Sequence, residues 1–253
     1  MMIEERYQSE REKWDEIAQE KWDEIYAYPP DSGFLRYASG DIGLTGVAEF
    51  IGSLKGKRVL DYGCGLGAMT VLMALDGAKV TAFDLSRDSL AVTARRASIN
   101  NISSLVSLTV AAGENLPFAE GSFDVVFGRS ILHHLVPKIS QPELCRVLKK
   151  GGKAVFSEPL GMNPVLSFVR KHVRYADKNP VGVDQPLTYE DILKWSRGFS
   201  EVHVREIQLI SMLERGLKSQ KKFPGLRRLD NYLLRRFSFL RRYCRIVVIG
   251  LLK

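Results

Sequence analysis

The sequence contains few cysteines and no long apolar segment, and both absences restrict what the protein can be. Its three cysteines, Cys64, Cys145 and Cys244, are spaced irregularly. This pattern indicates neither a disulfide framework nor a metal site, and it is expected in a reducing cytoplasm. No apolar run approaches the roughly 20 residues needed to cross a bilayer, and the acidic, polar first residues do not resemble a secretory signal. We therefore expect a cytoplasmic protein.

The sequence also lacks the residue patterns of metal and hydrolase sites. No set of His, Cys, Asp and Glu residues has metal-ligand spacing, so no metal is expected. Ser86 and Ser130 do not occur in the sequence context of a nucleophile elbow, which disfavours a hydrolase.

Positive charge is distributed unevenly along the chain. The net charge is +8, but residues 1–150 hold 17 Lys and Arg against 20 Asp and Glu, whereas residues 151–253 hold 20 against 9. The excess of basic residues in residues 151–253 says more about possible binding partners than the total charge does.

Alternating strand and helix patterns predict an α/β fold. Short apolar strands alternate with helices from residue 44 to residue 158, which is typical of βαβ units and a mostly parallel sheet. We expect a single domain with a helical cap at 1–43, a core at 44–158, and substrate-side insertions and closing strands at 159–253. The further elements expected are a helix at 3–27 with Trp14, Ile17, Ala18, Trp22 and Ile25 on its apolar face, a helix at 44–54, a partly ordered insertion at 160–187, a mostly helical stretch at 211–242 and a last strand at 244–252. The first of these helices packs on the domain or, in the alternative interpretation, also closes over a ligand.

A glycine-rich loop follows the first predicted strand. Gly63, Gly65 and Ala68 fit the pattern G-x-G-x-x-G/A, and Asp84 follows Gly63 at the distance at which an acid holds a ribose. These features alone fit a nicotinamide dinucleotide or another nucleotide ligand. Asp61, just before the glycines, disfavours a pyrophosphate and favours a ligand that carries cationic groups.

The acid and the glycines together form the pattern D-x-G-x-G-x-G, which resembles the first motif of class I S-adenosylmethionine-dependent methyltransferases. Further segments resemble later motifs of that family in the same order, over about residues 57–158. These segments are 83–86, 114–118, 122–126, 129–135 and 146–152. The resemblance implies a Rossmann-like, seven-stranded, mostly parallel sheet with an antiparallel last strand, and S-adenosylmethionine as the cofactor. The cofactor-binding residues that it implies are Asp61, Gly63, Cys64, Gly65, Gly67, Asp84, Leu85, Gly113, Glu114, Asn115 and Arg129.

One position departs from the family pattern. Many members have an acid two residues before Glu114 that accepts the adenine amino group, and this chain has Ala112 there. The adenine amine is then held by the loop backbone or by Glu114.

Three residues are candidates for the catalytic group. His133 and His134 follow the fourth predicted strand, at the sheet edge where ligands bind in open α/β folds. An imidazole there can act as a general base for a hydroxyl or an acidic carbon, and we favour His134 over His133. Glu158, after the fifth strand, orients the substrate, pairs with a histidine, or is a strand-end carboxylate that accepts hydrogen bonds from nearby backbone amides. The other interpretation is that one histidine packs under the loop and the other shapes the pocket.

Residues 215–245 contain eleven basic residues and one acid, Asp230. Leucines and one phenylalanine recur between the arginines at helical spacing, from Leu226 to Leu240. A basic amphipathic helix can contact an anionic membrane or a lipid-linked substrate, bind a soluble anionic substrate, or be a solvated face. Nucleic acid is disfavoured because base-stacking aromatics do not alternate with the arginines.

The function that we expect is therefore methyl transfer from S-adenosylmethionine to oxygen or carbon of a small or lipid-linked molecule. A cofactor-binding protein of the same fold without this activity and a nicotinamide-dependent oxidoreductase are the alternatives. The segment Gly128-Arg129-Ser130-Ile131 stands where methyltransferases that act on base amino groups have N-P-P-Y or D-P-P-Y. The sequence does not indicate the oligomeric state.

Overall fold

The computed structural model describes residues 3–172, 185–215 and 223–253. Strands and helices alternate through the first two thirds of this part of the chain. The strands are β1 Arg58–Tyr62, β2 Lys79–Asp84, β3 Val106–Val110, β4 Phe123–Arg129, β5 Leu148–Pro159, β6 Glu201–Ile207 and β7 Ile246–Leu252. The α-helices are α1 Ile3–Glu20, α2 Phe34–Gly40, α3 Val47–Ile51, α4 Ala68–Leu75, α5 Arg87–Ile99, α6 Pro137–Val147, α7 Pro164–His172, α8 Tyr189–Trp195 and α9 Pro224–Arg236.

The strands of the described residues form one seven-stranded sheet in the order β3-β2-β1-β4-β5-β7-β6. The first five strands pair in parallel, and β7 is antiparallel to both of its neighbours, β5 and β6. This confirms the expected Rossmann-like sheet with an antiparallel last strand.

Apolar side chains cover both faces of the central strands. Leu60 packs on one face together with Phe156, whereas its neighbour Val59 packs on the other together with Phe127 and Val155. Parallel strands that are buried on both faces carry consecutive apolar residues, as Val59 and Leu60 of β1 and residues 154–156 of β5 do here. The carboxyl ends of β1, β2, β4 and β5 meet at one edge of the sheet, and the candidate site residues follow these ends.

Several predicted helix boundaries were wrong. The first helix ends at Glu20 rather than near residue 27, and a short 3₁₀ turn at Trp22–Glu24 follows it. The helix expected at 44–54 is only Val47–Ile51, because Gly46 and Gly52 adopt left-handed backbone conformations on either side of it.

The region after β5 contains a helix where we expected a partly ordered insertion. Asn163 Oδ1 accepts hydrogen bonds from the backbone N–H of Val165 and Leu166, and Pro164 is the first helical residue of α7. An asparagine cap followed by proline is a standard helix start, so the sequence did contain this signal. Residues 173–184, which belong to the same predicted insertion, lie outside the described residues.

The described part of the stretch at 211–242 is mostly helical, as predicted. It contains a 3₁₀ helix at Ser211–Arg215, α9, which begins with Pro224, and a second 3₁₀ helix at Ser238–Tyr243. Lys218, Lys221 and Lys222 lie outside the described residues. Within the described ranges, no helix is both long and apolar enough to cross a bilayer.

Candidate active site

The glycine loop between β1 and α4 is a tight turn. Gly63, Gly65 and Gly67 have φ angles of 69°, 50° and 73°, which glycine adopts freely and residues with a side chain adopt rarely. A Cβ on Gly67 would lie 2.3 Å from Thr93 Oγ1, and a Cβ on Gly63 would lie 2.6 Å from Ile131 Cδ1. The loop therefore requires glycine both for its backbone conformation and for its packing.

Two buried acids support this loop. Asp84 Oδ2 accepts a hydrogen bond from Gly65 N at 2.8 Å, and Asp84 Oδ1 accepts one from Ser86 N at 3.0 Å. Asp61 Oδ2 accepts a hydrogen bond from Thr70 Oγ1 at 2.6 Å. Burial raises the pKa of Asp84 and raises the pKa of Asp61 to about 7. A cationic group bound beside Asp61 would favour its ionised form.

A cavity of 430 Å³ lies over the loop at the carboxyl edge of the sheet. Its volume is in the range typical of small-molecule sites, about 300–1,000 Å³. The predicted site residues that line it are Asp61, Gly63, Cys64, Gly65, Gly67, Asp84, Leu85, Gly113, Glu114, Arg129 and His134. Three other predicted residues, Asn115, His133 and Glu158, are not part of its lining.

Glu158 and His133 lie behind the cavity and hold the loop that follows β4. Glu158 Oε1 accepts hydrogen bonds from the backbone N–H of Ile131 and Leu132, at 2.9 and 3.0 Å. Glu158 Oε2 lies 2.6 Å from His133 Nδ1, and the two side chains are 0% and 4% exposed. This contact matches the alternative in which Glu158 pairs with a histidine, and it gives both residues a role in positioning the loop.

Helix α1 covers the cavity and contributes residues that sequence reasoning missed. Arg6, Tyr7, Glu10 and Trp14 line the cavity from this helix. The apolar pattern indicated that Trp14 would pack on the domain, but no sequence signal marked Arg6 or Glu10 as site residues. Burial, together with the nearby Glu114 carboxylate, raises the pKa of the Tyr7 hydroxyl.

Three polar contacts join α1 to the loops around the cavity. Arg6 forms an ion pair with Glu114. Glu10 Oε1 lies 3.2 Å from His134 Nδ1, and Ser86 Oγ donates a hydrogen bond to Asp15 Oδ1 at 2.5 Å.

The residues around the cavity fit S-adenosylmethionine. The glycines permit close approach of a ligand to the backbone, Asp84 follows β2 where a ribose is expected, and the buried Asp61 suits a cationic group. Glu114 provides an independent test. Its Oε2 atom is buried and makes no hydrogen bond of good geometry with the described residues, although the Tyr7 hydroxyl is near the carboxylate and the Glu114 side chain lines the cavity. A buried carboxylate oxygen without a hydrogen-bond donor is costly, and the amine of a bound ligand would supply that donor. Glu114 can therefore accept the adenine amine, which the methyl side chain of Ala112 cannot do.

Among residues 3–172, 185–215 and 223–253, no cluster of three or more His, Cys, Asp or Glu side chains could hold a metal ion.

Comparison with known proteins agrees with this geometry. Residues 60–156 match the family model described as a methyltransferase domain. The chain is 35% identical over 161 residues to the ubiquinone biosynthesis O-methyltransferase of Bordetella parapertussis, and this match covers 62% of the chain and 63% of the relative. The matched segment therefore spans less than two thirds of that relative's length.

Solved structures show the same fold at low sequence identity. The geranyl diphosphate C-methyltransferase of Streptomyces coelicolor A3(2) superposes with a TM-score of 0.61 at 16% identity, covering 86% of this chain and 75% of that one. An S-adenosylmethionine-dependent methyltransferase from Mesorhizobium loti superposes with a TM-score of 0.59 at 20% identity, covering 85% and 100%. The match of residues 60–156 to the methyltransferase-domain model confirms the predicted S-adenosylmethionine cofactor. Residues 60–156 match a methyltransferase domain, and this match supports the class I S-adenosylmethionine-dependent methyltransferase family that the sequence motifs resemble.

Proposed function

We propose that this protein transfers the methyl group of S-adenosylmethionine to a hydroxyl oxygen of a small, lipid-linked acceptor. The observation that carries the proposal is that His134 lines the same cavity as the glycine loop and Asp84. A titratable base and the cofactor-binding residues thus share one cavity. The O-methyltransferase named among the relatives supports oxygen, rather than carbon, as the methyl acceptor.

The cofactor, when bound, supplies an electrophilic methyl group on a positively charged sulfur. Asp61, Asp84 and Glu114 are the residues that we assign to its cationic group, its ribose and its adenine amine. Arg129 also lines the cavity and forms an ion pair with Asp41, with 3.1 Å between Nη1 and Oδ2. The chain's own contribution is to align the acceptor and to exclude water under α1, and alignment can supply about 7–11 kcal/mol of barrier reduction.

A methyl-transfer assay tests the function. With S-adenosylmethionine labelled in its methyl group, we expect label to enter a polyprenylated catechol as a methyl ether. His134→Ala should lower this turnover by about 100-fold, a typical contribution of a general base, while S-adenosylhomocysteine still binds. His203→Ala is the matched control, because His203 is exposed on the edge strand β6 and should not affect turnover. Binding of S-adenosylhomocysteine without transfer to any hydroxylated acceptor would instead favour a cofactor-binding protein without this activity.

The lipid-linked acceptor is supported by the surface of the basic segment. Asp230, its one acid, is buried and accepts hydrogen bonds from the backbone N–H of Leu209, Ile210 and Ser211. The outer surface of α9 and of the following turn is therefore cationic. Its exposed arginines and large apolar residues are Arg228, Leu229, Tyr232, Arg235, Arg236, Phe237, Phe239, Arg241 and Arg242.

Part of the predicted apolar stripe faces the interior. Leu233 and Leu240 pack against the core cluster, whereas Leu229 and Phe237 are exposed. The start of α7 is joined to this region by the hydrogen bond from Asn163 Nδ2 to Tyr243 O. Tyr232, Phe237 and Phe239 are exposed beside the arginines, so the expected lack of aromatic residues among the arginines was wrong for this surface. Together with Leu229 they suit an anionic bilayer surface, where each basic residue can add about 1 kcal/mol.

Vesicle sedimentation tests this membrane contact. The protein should sediment with phosphatidylserine vesicles at low salt, and binding should fall as salt screens the charges. Substituting Arg235, Arg236, Arg241 and Arg242 with Gln should weaken binding at least tenfold, which is about 1.4 kcal/mol. The control replaces Lys55, Lys57, Lys79 and Lys150 with Gln. This is an equal change of charge at exposed positions near the amino ends of the parallel strands, opposite the cavity. Equal binding of both variants, or no binding by the wild type at low salt, would contradict the membrane contact.

A further inference from the structure

His134, to which we assign the role of general base, lies next to a carboxylate from a distant part of the chain. Glu10 lies in α1, and its Oε1 atom is 3.2 Å from His134 Nδ1. Both side chains are largely buried, with 11% and 16% exposed, and both line the cavity. We infer that Glu10 is a positioning residue that keeps the proton of the neutral His134 ring on Nδ1 and leaves Nε2 as the proton acceptor. This inference rests on the proposed methyl transfer to a hydroxyl.

The tautomer of a histidine is set by the partner of one ring nitrogen. The contact is a close approach of two atoms, since His134 Nδ1 is buried and makes no hydrogen bond of good geometry with the described residues. A carboxylate accepts hydrogen bonds only and repels a lone pair, so a ring nitrogen 3.2 Å from it is favoured in its N–H form. The lone pair is then on Nε2, which takes the proton that the acceptor hydroxyl loses. The acceptor oxygen forms its bond to the methyl group as the bond from that methyl group to sulfur breaks, and this electron pair stays on sulfur.

The neighbouring histidine limits the orientation of the His134 ring from a second direction. The centroids of the His133 and His134 rings are 4.1 Å apart. His133 is itself held by Glu158, which also binds the backbone of the loop. The His133 ring is therefore held in place, and the His134 ring packs against it. Glu10 then restricts the rotation of the His134 ring that this packing still allows.

This arrangement couples the base to the cover of the cavity. Glu10 belongs to the same helix as Trp14 and Asp15, which contact Gly65 and Ser86 of the cofactor loops. Glu10 can face His134 only when α1 lies over the cavity. His134 thus has its carboxylate partner only when the site is covered, and in the covered site water is excluded from the reacting groups.

Nuclear magnetic resonance of the imidazole nitrogens tests the inference without any acceptor. Spectra of the ¹⁵N-labelled full chain are recorded with S-adenosylhomocysteine, at a pH at which the rings are neutral, and His134 is identified by its loss in His134→Gln. In the wild type we expect His134 to show the Nδ1–H tautomer. In Glu10→Ala this signature should be lost, while His133 keeps its Nδ1–H tautomer through Glu158.

Glu12→Ala is the matched control, because Glu12 is an exposed acid on the same helix. It should leave the His134 spectrum unchanged. An Nε2–H tautomer in the wild type, or an unchanged His134 tautomer in a Glu10→Ala variant that still binds S-adenosylhomocysteine, would overturn the role of Glu10. Neither result depends on methyl transfer, so failure of this inference is distinct from failure of the proposed function, which the labelled-methyl assay detects.

Discussion

Gly65→Val should abolish measurable binding of S-adenosylhomocysteine in calorimetry. Gly65 has a φ angle of 50°, and a β-branched residue there is a strong outlier that costs about 1–3 kcal/mol. A Cβ at this position would also lie 3.2 Å from Cζ3 of Trp14, under the helix that covers the cavity. The strain is relieved if the loop shifts, and a shifted loop loses the hydrogen bond from Gly65 N to Asp84.

The control for this variant is Gly121→Val. Gly121 has a similar φ angle of 62°, but a Cβ there would meet nothing within 4 Å, and the residue lies in the turn before β4, away from the cavity. It carries a comparable backbone strain and should keep the wild-type affinity. A Gly65→Val protein that is folded, by circular dichroism, and binds S-adenosylhomocysteine as the wild type does would show that the loop is not the cofactor site.

Asp84→Ala should weaken S-adenosylhomocysteine binding at least tenfold, which is about 1.4 kcal/mol. Two effects act in the same direction. The variant loses the carboxylate assigned to the ribose, and the backbone N–H groups of Gly65 and Ser86 lose the acceptor that orders the loop. Calorimetry with S-adenosylhomocysteine and, separately, with NADH measures the effect and tests the oxidoreductase alternative.

Asp124→Ala provides the comparison for Asp84→Ala. Asp124 also accepts a hydrogen bond from a backbone N–H, that of Arg58, and forms an ion pair with Lys149, but it lies at the opposite end of the parallel strands. Its loss should affect stability and leave cofactor affinity unchanged. Tight NADH binding without S-adenosylhomocysteine binding would rule out the cofactor assignment altogether.

The cofactor half of the site could be predicted from the sequence because its residues are close together in the chain. Asp61, Gly63, Gly65 and Gly67 occupy one strand end and one turn, and local backbone requirements select these residue types. Asp84 could be added because parallel strands of similar length end at the same edge of the sheet. Residues that line the cavity directly after the end of a strand could therefore be predicted from the sequence.

The roles of the histidines could not be separated in this way. His133 and His134 are adjacent in sequence, and both follow β4. Only packing distinguishes them, since Glu158 binds His133 behind the loop whereas His134 lines the cavity beside Glu10. The partner of each ring comes from a segment 25 residues away in one case and from the first helix in the other.

The sequence by itself determined the class of sheet, the glycine loop and the acids around it, because strand periodicity, left-handed turns and strand-end positions are local properties. Only the tertiary structure decided that α1 covers the cavity and brings Arg6 to Glu114 and Glu10 to His134. These polar residues look like the solvated face of an amphipathic helix, and their meaning depends on which surface that helix packs against. The same holds for Asp230, whose inward orientation leaves the exposed surface of α9 cationic.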